Sequence, residues 1–169
     1  MVYSFDIFNT VVTRAVAVPS DVFALVQEKI NRENISGLPN KLYSSFRYVR
    51  QNAEQIARWR FWREDVGMKD IYQIMAQAYR FPPAIAHRFM ELELETEFFL
   101  IRPIAVVCDR VRRLISSGEK VIFISDMYLT ADFLQSILAA FSIVIPKEDI
   151  FVSGDIGVRK ITGRLIRMS

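Results

Sequence analysis

Val2-Tyr3-Ser4-Phe5-Asp6-Ile7-Phe8-Asn9-Thr10-Val11-Val12-Thr13-Arg14 opens the chain, and its reading decides the fold. Val2 to Phe5 has the character of a short buried strand, and it runs straight into an aspartate. A carboxylate at the carboxyl end of a central strand stands where open α/β sheets bind their ligands. Asp6 is therefore the first candidate for chemistry. Taken alone, the same residue reads equally well as a turn former at a strand end.

Working outward, the next stretch of this kind lies far along the chain. Val121-Ile122-Phe123-Ile124 is a continuous apolar run bounded by Ser125-Asp126, the pattern of a parallel strand covered on both faces. A helix predicted over Ile104 to Ser117, with Val107, Val111, Leu114 and Ile115 inward, ends at Gly118 just before it. A helix over Ala131 to Ala140 follows it, and Ile143-Val144-Ile145 and Ile150-Phe151-Val152 read as further strands before a Ser153-Gly154 turn.

Between these ends the period changes. Pro19-Ser20-Asp21 starts a helix carrying Val22, Phe23, Val26 and Ile30, which stops near Asn34-Ile35-Ser36-Gly37. A long helix over Leu42 to Glu64 closes at Gly67, a shorter one spans Lys69 to Tyr79, and another follows Phe81-Pro82-Pro83 from Ala84 to Leu100. The expected architecture is an α/β core with a Rossmann-like parallel sheet, residues 1–15 and 101–169, and an all-helical cap, residues 16–100, inserted after the first strand.

Composition narrows the function classes. The chain has 169 residues, 51% of them apolar, enough for a sizeable core. Its 22 Lys and Arg stand against 19 acids, a near balance that demands no nucleic acid. One cysteine, Cys108, makes no internal disulfide, Met1 leads into a strand rather than a leader, and no apolar run approaches the roughly 20 residues of a membrane span. The expectation is a cytoplasmic protein with no membrane partner.

A strand ending in Asp-x-x-x-Thr-Val resembles motif I of the haloacid dehalogenase-like (HAD) superfamily, and Ser4-Phe5-Asp6-Ile7-Phe8-Asn9-Thr10 looks most like its DxFDT branch, hydrolases often encoded with bacterial glycan-synthesis genes. Ser125-Asp126-Met127-Tyr128-Leu129 is similar to motif II, and Lys160 within Ser153 to Gly163 resembles motif III. The cap is similar too, at Phe46-x-x-x-Arg50-x-x-Ala53-Glu54-x-x-Ala57-Arg58, Asp70-Ile71-Tyr72 and Met90 to Glu95. The resemblance implies Asp6 as nucleophile, Ser125 as the hydroxyl that bonds a phosphoryl oxygen, and Lys160 as the cation that neutralises nucleophile and phosphate. It implies substrate contacts at Thr10 and Asp126, Mg²⁺ held by Asp6 and the Phe8 backbone carbonyl, and a small phosphorylated, sugar-related substrate. The chemistry is coherent: a carboxylate needs no base to become a nucleophile, and a cation offsets charge developing in the transition state.

Phe8 stands where phosphatases of the superfamily carry a general acid, and Asn9 where the branch keeps an aspartate. Arg167-Met168-Ser169 falls within the helix after motif III, so the resemblance implies that the last core strand, whose Gly-Asp motif completes the Mg²⁺ site, is missing. Mg²⁺ binding is then expected to be weak, and the Val2 to Phe5 edge is expected to be open to a second copy or a partner chain. Arg50, Glu54 and Arg58 lie one turn apart, either reaching an anionic substrate or, the favoured reading, pairing along a solvated helix face. Arg58-Trp59-Arg60-Phe61-Trp62-Arg63 interleaves cations and aromatics but reads as one helix of a balanced protein; His87 has no companion for a metal, and Cys108 reads as core. Three functions stay open: a phosphate-ester hydrolase, a non-catalytic module of the same fold, and a dehalogenase of small 2-haloacids.

Overall fold

The computed structural model describes residues 1–35, 38–61 and 64–158. Ser36 and Gly37 of the expected helix stop, Trp62 and Arg63 of the cation–aromatic run, Lys160 and the helix expected after it lie outside the described residues. The elements run β1 (Val2–Phe5), β2 (Val12–Arg14), α1 (Val22–Glu33), α2 (Asn40–Arg60), α3 (Met68–Tyr79), α4 (Pro83–Leu100), β3 (Ile101–Pro103), α5 (Ala105–Ser116), β4 (Lys120–Ser125), α6 (Ala131–Ala140), β5 (Ile150–Val152) and α7 (Ser153–Ile156). Two units form: Met1–Ala15, Arg63–Gly67 and Ile101–Ser169 make one, and Val16–Trp62 with Met68–Leu100 the other. The segment Arg63–Gly67, expected in the helical insertion, thus belongs to the α/β unit, and the chain passes between units at 15/16, 62/63, 67/68 and 100/101.

The α/β unit is built on a Rossmann-like parallel sheet of order β1-β4-β5. Phe5 lies opposite Phe123, Phe123 opposite Ile150, and Ser125 opposite Val152. β4 is the central strand, which explains its unbroken apolar run: Val121 to Ser125 are all buried, with both neighbours in place. β1 alternates instead, with Val2 and Ser4 exposed and Tyr3 and Phe5 half-buried, and among the described residues it pairs with β4 alone. α5 packs on β4 and α6 on β5, and Ile122 and Ile124 gather Phe151, Ile156 and Val158 into one cluster. Gly118 turns the chain from α5 into β4 at φ +79°, a conformation glycine adopts without cost.

One expectation is corrected here, and one element is added. Ile143-Val144-Ile145 is no strand: Ile143 N–H donates to Leu138 O at 2.9 Å, and Ile145 O accepts from Gln135 Nε2 at 2.8 Å, so this segment is tied to α6 rather than to a ladder. A second, two-stranded antiparallel sheet pairs Val12 with Pro103 and Arg14 with Ile101. Its strands are three residues each, too short to carry an alternation, and β3 follows α4 without a break.

In the helical unit α1 packs on α2 and α4, and α3 packs on the same two. α2 begins at Asn40, kinks at Ser45 and stops at Arg60 rather than Glu64. Phe46 and Phe81 meet the Phe89 ring edge-on, each at 5.6 Å. Arg50 is wholly buried where the four helices meet: its guanidinium lies 4.7 Å from the Phe23 ring of α1 and 5.6 Å from Tyr72 of α3. From α4, Glu93 accepts Nε at 2.8 Å and Nη2 at 2.9 Å, a bidentate pair, and accepts Tyr72 Oη at 2.6 Å. Glu54 joins Arg50 at 3.1 Å to Arg58 at 2.9 Å along α2. The solvated-face reading therefore holds for Glu54 and Arg58 only in part, and for Arg50 it is replaced by a buried clamp between helices. No helix among the described residues is long and apolar enough to cross a membrane.

Burial pushes the Tyr72 phenol well above the ordinary tyrosine range, the Glu93 carboxylate adds to the rise, and Arg50 opposes it. A proton held more tightly in the folded state stabilises fully below about pH 10, where an unfolded tyrosine ionises, and that stability is lost as pH rises beyond it. Urea midpoints at pH 8 and pH 10.5 should therefore fall by more in the wild type than in Tyr72→Phe. Equal falls would show that the buried phenol carries no such linkage.

Candidate active site

The carboxyl edge of the parallel sheet brings together two of the residues singled out by sequence. Asp6 follows β1 directly and is half-buried, while Ser125 ends the neighbouring β4 and is 1% exposed. Adjacent strands run about 4.8 Å apart, so the register that pairs Phe5 with Phe123 brings Asp6 and Ser125 to neighbouring strand ends.

After Asp6 the chain folds into a tight knot. Val11 N–H and Val12 N–H both donate to Ile7 O at 2.9 Å, and Asn9 N–H donates to Val12 O at 2.7 Å. Asn9 takes the left-handed conformation, φ 58°, which its side chain tolerates better than most. Ile7 and Val11 are fully buried and anchor the knot, leaving Thr10 half-buried and Asn9 exposed between them. Phe8 lies under the guanidinium of Arg14, whose Cζ stands 4.1 Å from the ring centroid. Cys108 belongs to the wall behind: it is 1% exposed, its Sγ donates to Val11 O at 3.4 Å, and burial pushes its thiol up, all of which fit a core residue.

Around Ser125 three connections interlock. Asp126 is exposed at the strand end, and the chain then turns to Thr130, whose Oγ1 caps α6 by accepting Phe133 N–H at 3.3 Å. Asp155 caps the same helix, accepting Ala131 N–H at 2.7 Å, which is a helix-start role. Gly154 N–H donates to Met127 O at 3.1 Å. The crossing segment closes the cluster: Glu64 N–H donates to Gly157 O at 2.9 Å, and buried Asp65 accepts Ser153 Oγ at 2.5 Å and Val66 N–H at 3.0 Å. Nothing in the sequence pointed to Asp65, because its partner lies 88 residues away.

Asp6, Ser125, Thr10 and Asp126 thus share the α/β unit, whereas Arg50 and Arg58 belong to the helical unit, where both are engaged by acids of that unit. Lys160 lies outside the described residues. Among the described residues no three of His, Cys, Asp and Glu gather in a group that could hold a metal ion. Mg²⁺ takes about six oxygens, and the Asp6 carboxylate with the Phe8 carbonyl does not by itself build a resident site for it. Set against known proteins, the chain matches no protein-family model and no curated protein.

Proposed function

We propose that the chain is a HAD-like hydrolase that attacks phosphorus with Asp6, orients a phosphoryl oxygen with Ser125 and neutralises charge with Lys160. The observation that carries this reading is the placement of Asp6 and Ser125 at the carboxyl ends of adjacent parallel strands, with the knot of Ile7 to Val12 holding the first. Covalent attack by a carboxylate splits hydrolysis into two easier steps, and the seryl hydroxyl gives the phosphoryl group one fixed direction. The helical unit is read as the cap, Thr10 and Asp126 as flanking substrate contacts, and a small phosphorylated metabolite, sugar-related by the resemblance, as substrate. Mg²⁺ enters through the resemblance and is held weakly. Phe8 favours a second reading, in which Asp6 displaces halide, a leaving group that needs no proton.

The test is turnover of p-nitrophenyl phosphate, acetyl phosphate, a panel of sugar phosphates and 2-chloropropionate, with Mg²⁺ added, by the wild type and by Asp6→Asn. Phosphate release that the substitution removes is the expected result. Chloride release without phosphate release selects the dehalogenase, and no Asp6-dependent turnover of any compound leaves a non-catalytic module of the same fold.

A further inference from the structure

The loop that leaves Asp6 contains no proton donor: Ile7, Phe8, Asn9, Thr10, Val11, Val12 and Thr13 include no acid, His, Lys, Cys or Tyr. The cation that the fold sets against this loop is Arg14, whose Cζ stands 4.1 Å from the Phe8 ring centroid and whose backbone is fixed at the end of β2 by pairing with Ile101. A guanidinium does not release its proton, so Arg14 is no general acid. Its five N–H donors form a planar fork that suits phosphate and carboxylate oxygens.

We infer that Arg14, seated on Phe8 two residues from Asp6, receives a leaving group that departs as a stable anion, so that the substrate is a phosphoryl group on a carboxylate or phosphate oxygen rather than on an alcohol. This rests on the nucleophilic reading of Asp6. An Asp6 carboxylate oxygen bonds phosphorus while the bond from phosphorus to the leaving oxygen breaks. The electron pair stays on that oxygen, and no proton is needed. Water then bonds the same phosphorus, Asp6 regains its carboxylate, and the water protons leave on inorganic phosphate. An alcohol ester would have to expel an alkoxide without the help that general acids give, typically about 10²–10⁴-fold. Arg14 acts mainly on the charge that bond breaking adds to the leaving oxygen, so most of its contribution belongs to kcat.

The experiment measures kcat/KM of the full chain, with Mg²⁺, for acetyl phosphate, a nucleoside diphosphate, 4-nitrophenyl phosphate, phenyl phosphate and an alkyl phosphate. The expected result is a steep fall with leaving-group basicity, the alkyl ester trailing 4-nitrophenyl phosphate by at least about 10²-fold. The first two compounds separate a carboxylate from a phosphate as the departing group. Arg14→Ala should lower kcat on the preferred one by about tenfold or more with KM little changed, and Phe8→Asp should raise the alkyl ester selectively. An alkyl phosphate hydrolysed within about tenfold of the aryl ester overturns the inference without any variant, as does an Arg14→Ala enzyme with unchanged kcat. A steeper dependence in Asp126→Asn than in the wild type also overturns it, by making Asp126 the proton donor. Absence of Asp6-dependent turnover across the series counts against the hydrolase reading itself, whereas Asp6-dependent turnover with a flat series counts against this inference alone.

Discussion

Glu93→Ala is expected to destabilise the helical unit by about 3–5 kcal/mol, the cost of leaving a buried charge without its partner. Arg50 is fully buried, and two of its nitrogens reach Glu93 at 2.8 Å and 2.9 Å. Removing the carboxylate also strips the 2.6 Å bond from Tyr72. Glu54 still touches Arg50 at 3.1 Å but is partly exposed and shared with Arg58, so it compensates little. The paired replacement Arg50→Met with Glu93→Leu should recover most of the loss, because swapping a buried ion pair for apolar groups of similar volume is often neutral or better. Urea unfolding of the two singles and the double closes a thermodynamic cycle. A loss below about 1 kcal/mol in Glu93→Ala would show that the pair stays well solvated.

Gly154→Ala is expected to cost about 2–3 kcal/mol, at the upper end for an added methyl group, and to disturb the loops around Ser125. A Cβ there would lie 2.6 Å from Met127 O, 3.0 Å from Tyr128 Cα and 3.1 Å from Val66 O. All three are backbone atoms, so no side chain can swing aside, and the Gly154 N–H bond to Met127 O must stretch as the chains part. Melting temperature measures the first effect and amide shifts of residues 126–130 the second. An alanine variant with wild-type melting and unmoved amides would show that these connections have room the structure does not reveal.

The parallel sheet was legible because a strand buried on both faces leaves an unbroken apolar run, and Val121 to Ile124 is one. Asp6 and Ser125 were legible because each ends such a stretch. The helical stripes were equally plain, since Phe46, Val49, Ala53 and Ala57 recur at helical spacing on the buried side of α2. What escaped was fixed by distant partners. Arg50 fits a solvated stripe until Glu93, 43 residues on, is found facing it. A trace of this was present, since Glu93 shares its helix face with Phe89, Leu92, Thr96, Glu97 and Leu100, a mostly apolar row in which a buried acid calls for a partner. Asp65 gave no trace at all, and the β2–β3 pair is set by where α4 delivers the chain rather than by its own residues. Arg14 stood in the quoted stretch unremarked, because its approach to the Phe8 ring depends on how the Ile7 to Val12 knot folds.

The pairing of β1 with β4 has a consequence during synthesis. Met1 and Glu119, which join across this pairing at 2.9 Å, are 118 residues apart, so the first strand emerges from the ribosome long before its partner exists. At roughly 5–20 residues per second it waits on the order of 6–24 s. For that interval Tyr3 and Phe5 have no sheet to join. The helices that follow pack on one another, α1 and α3 each against α2 and α4, so that packing does not wait for β4. The aspartate that opens the candidate site therefore gains its neighbouring strand only after residues 120–125 have been made.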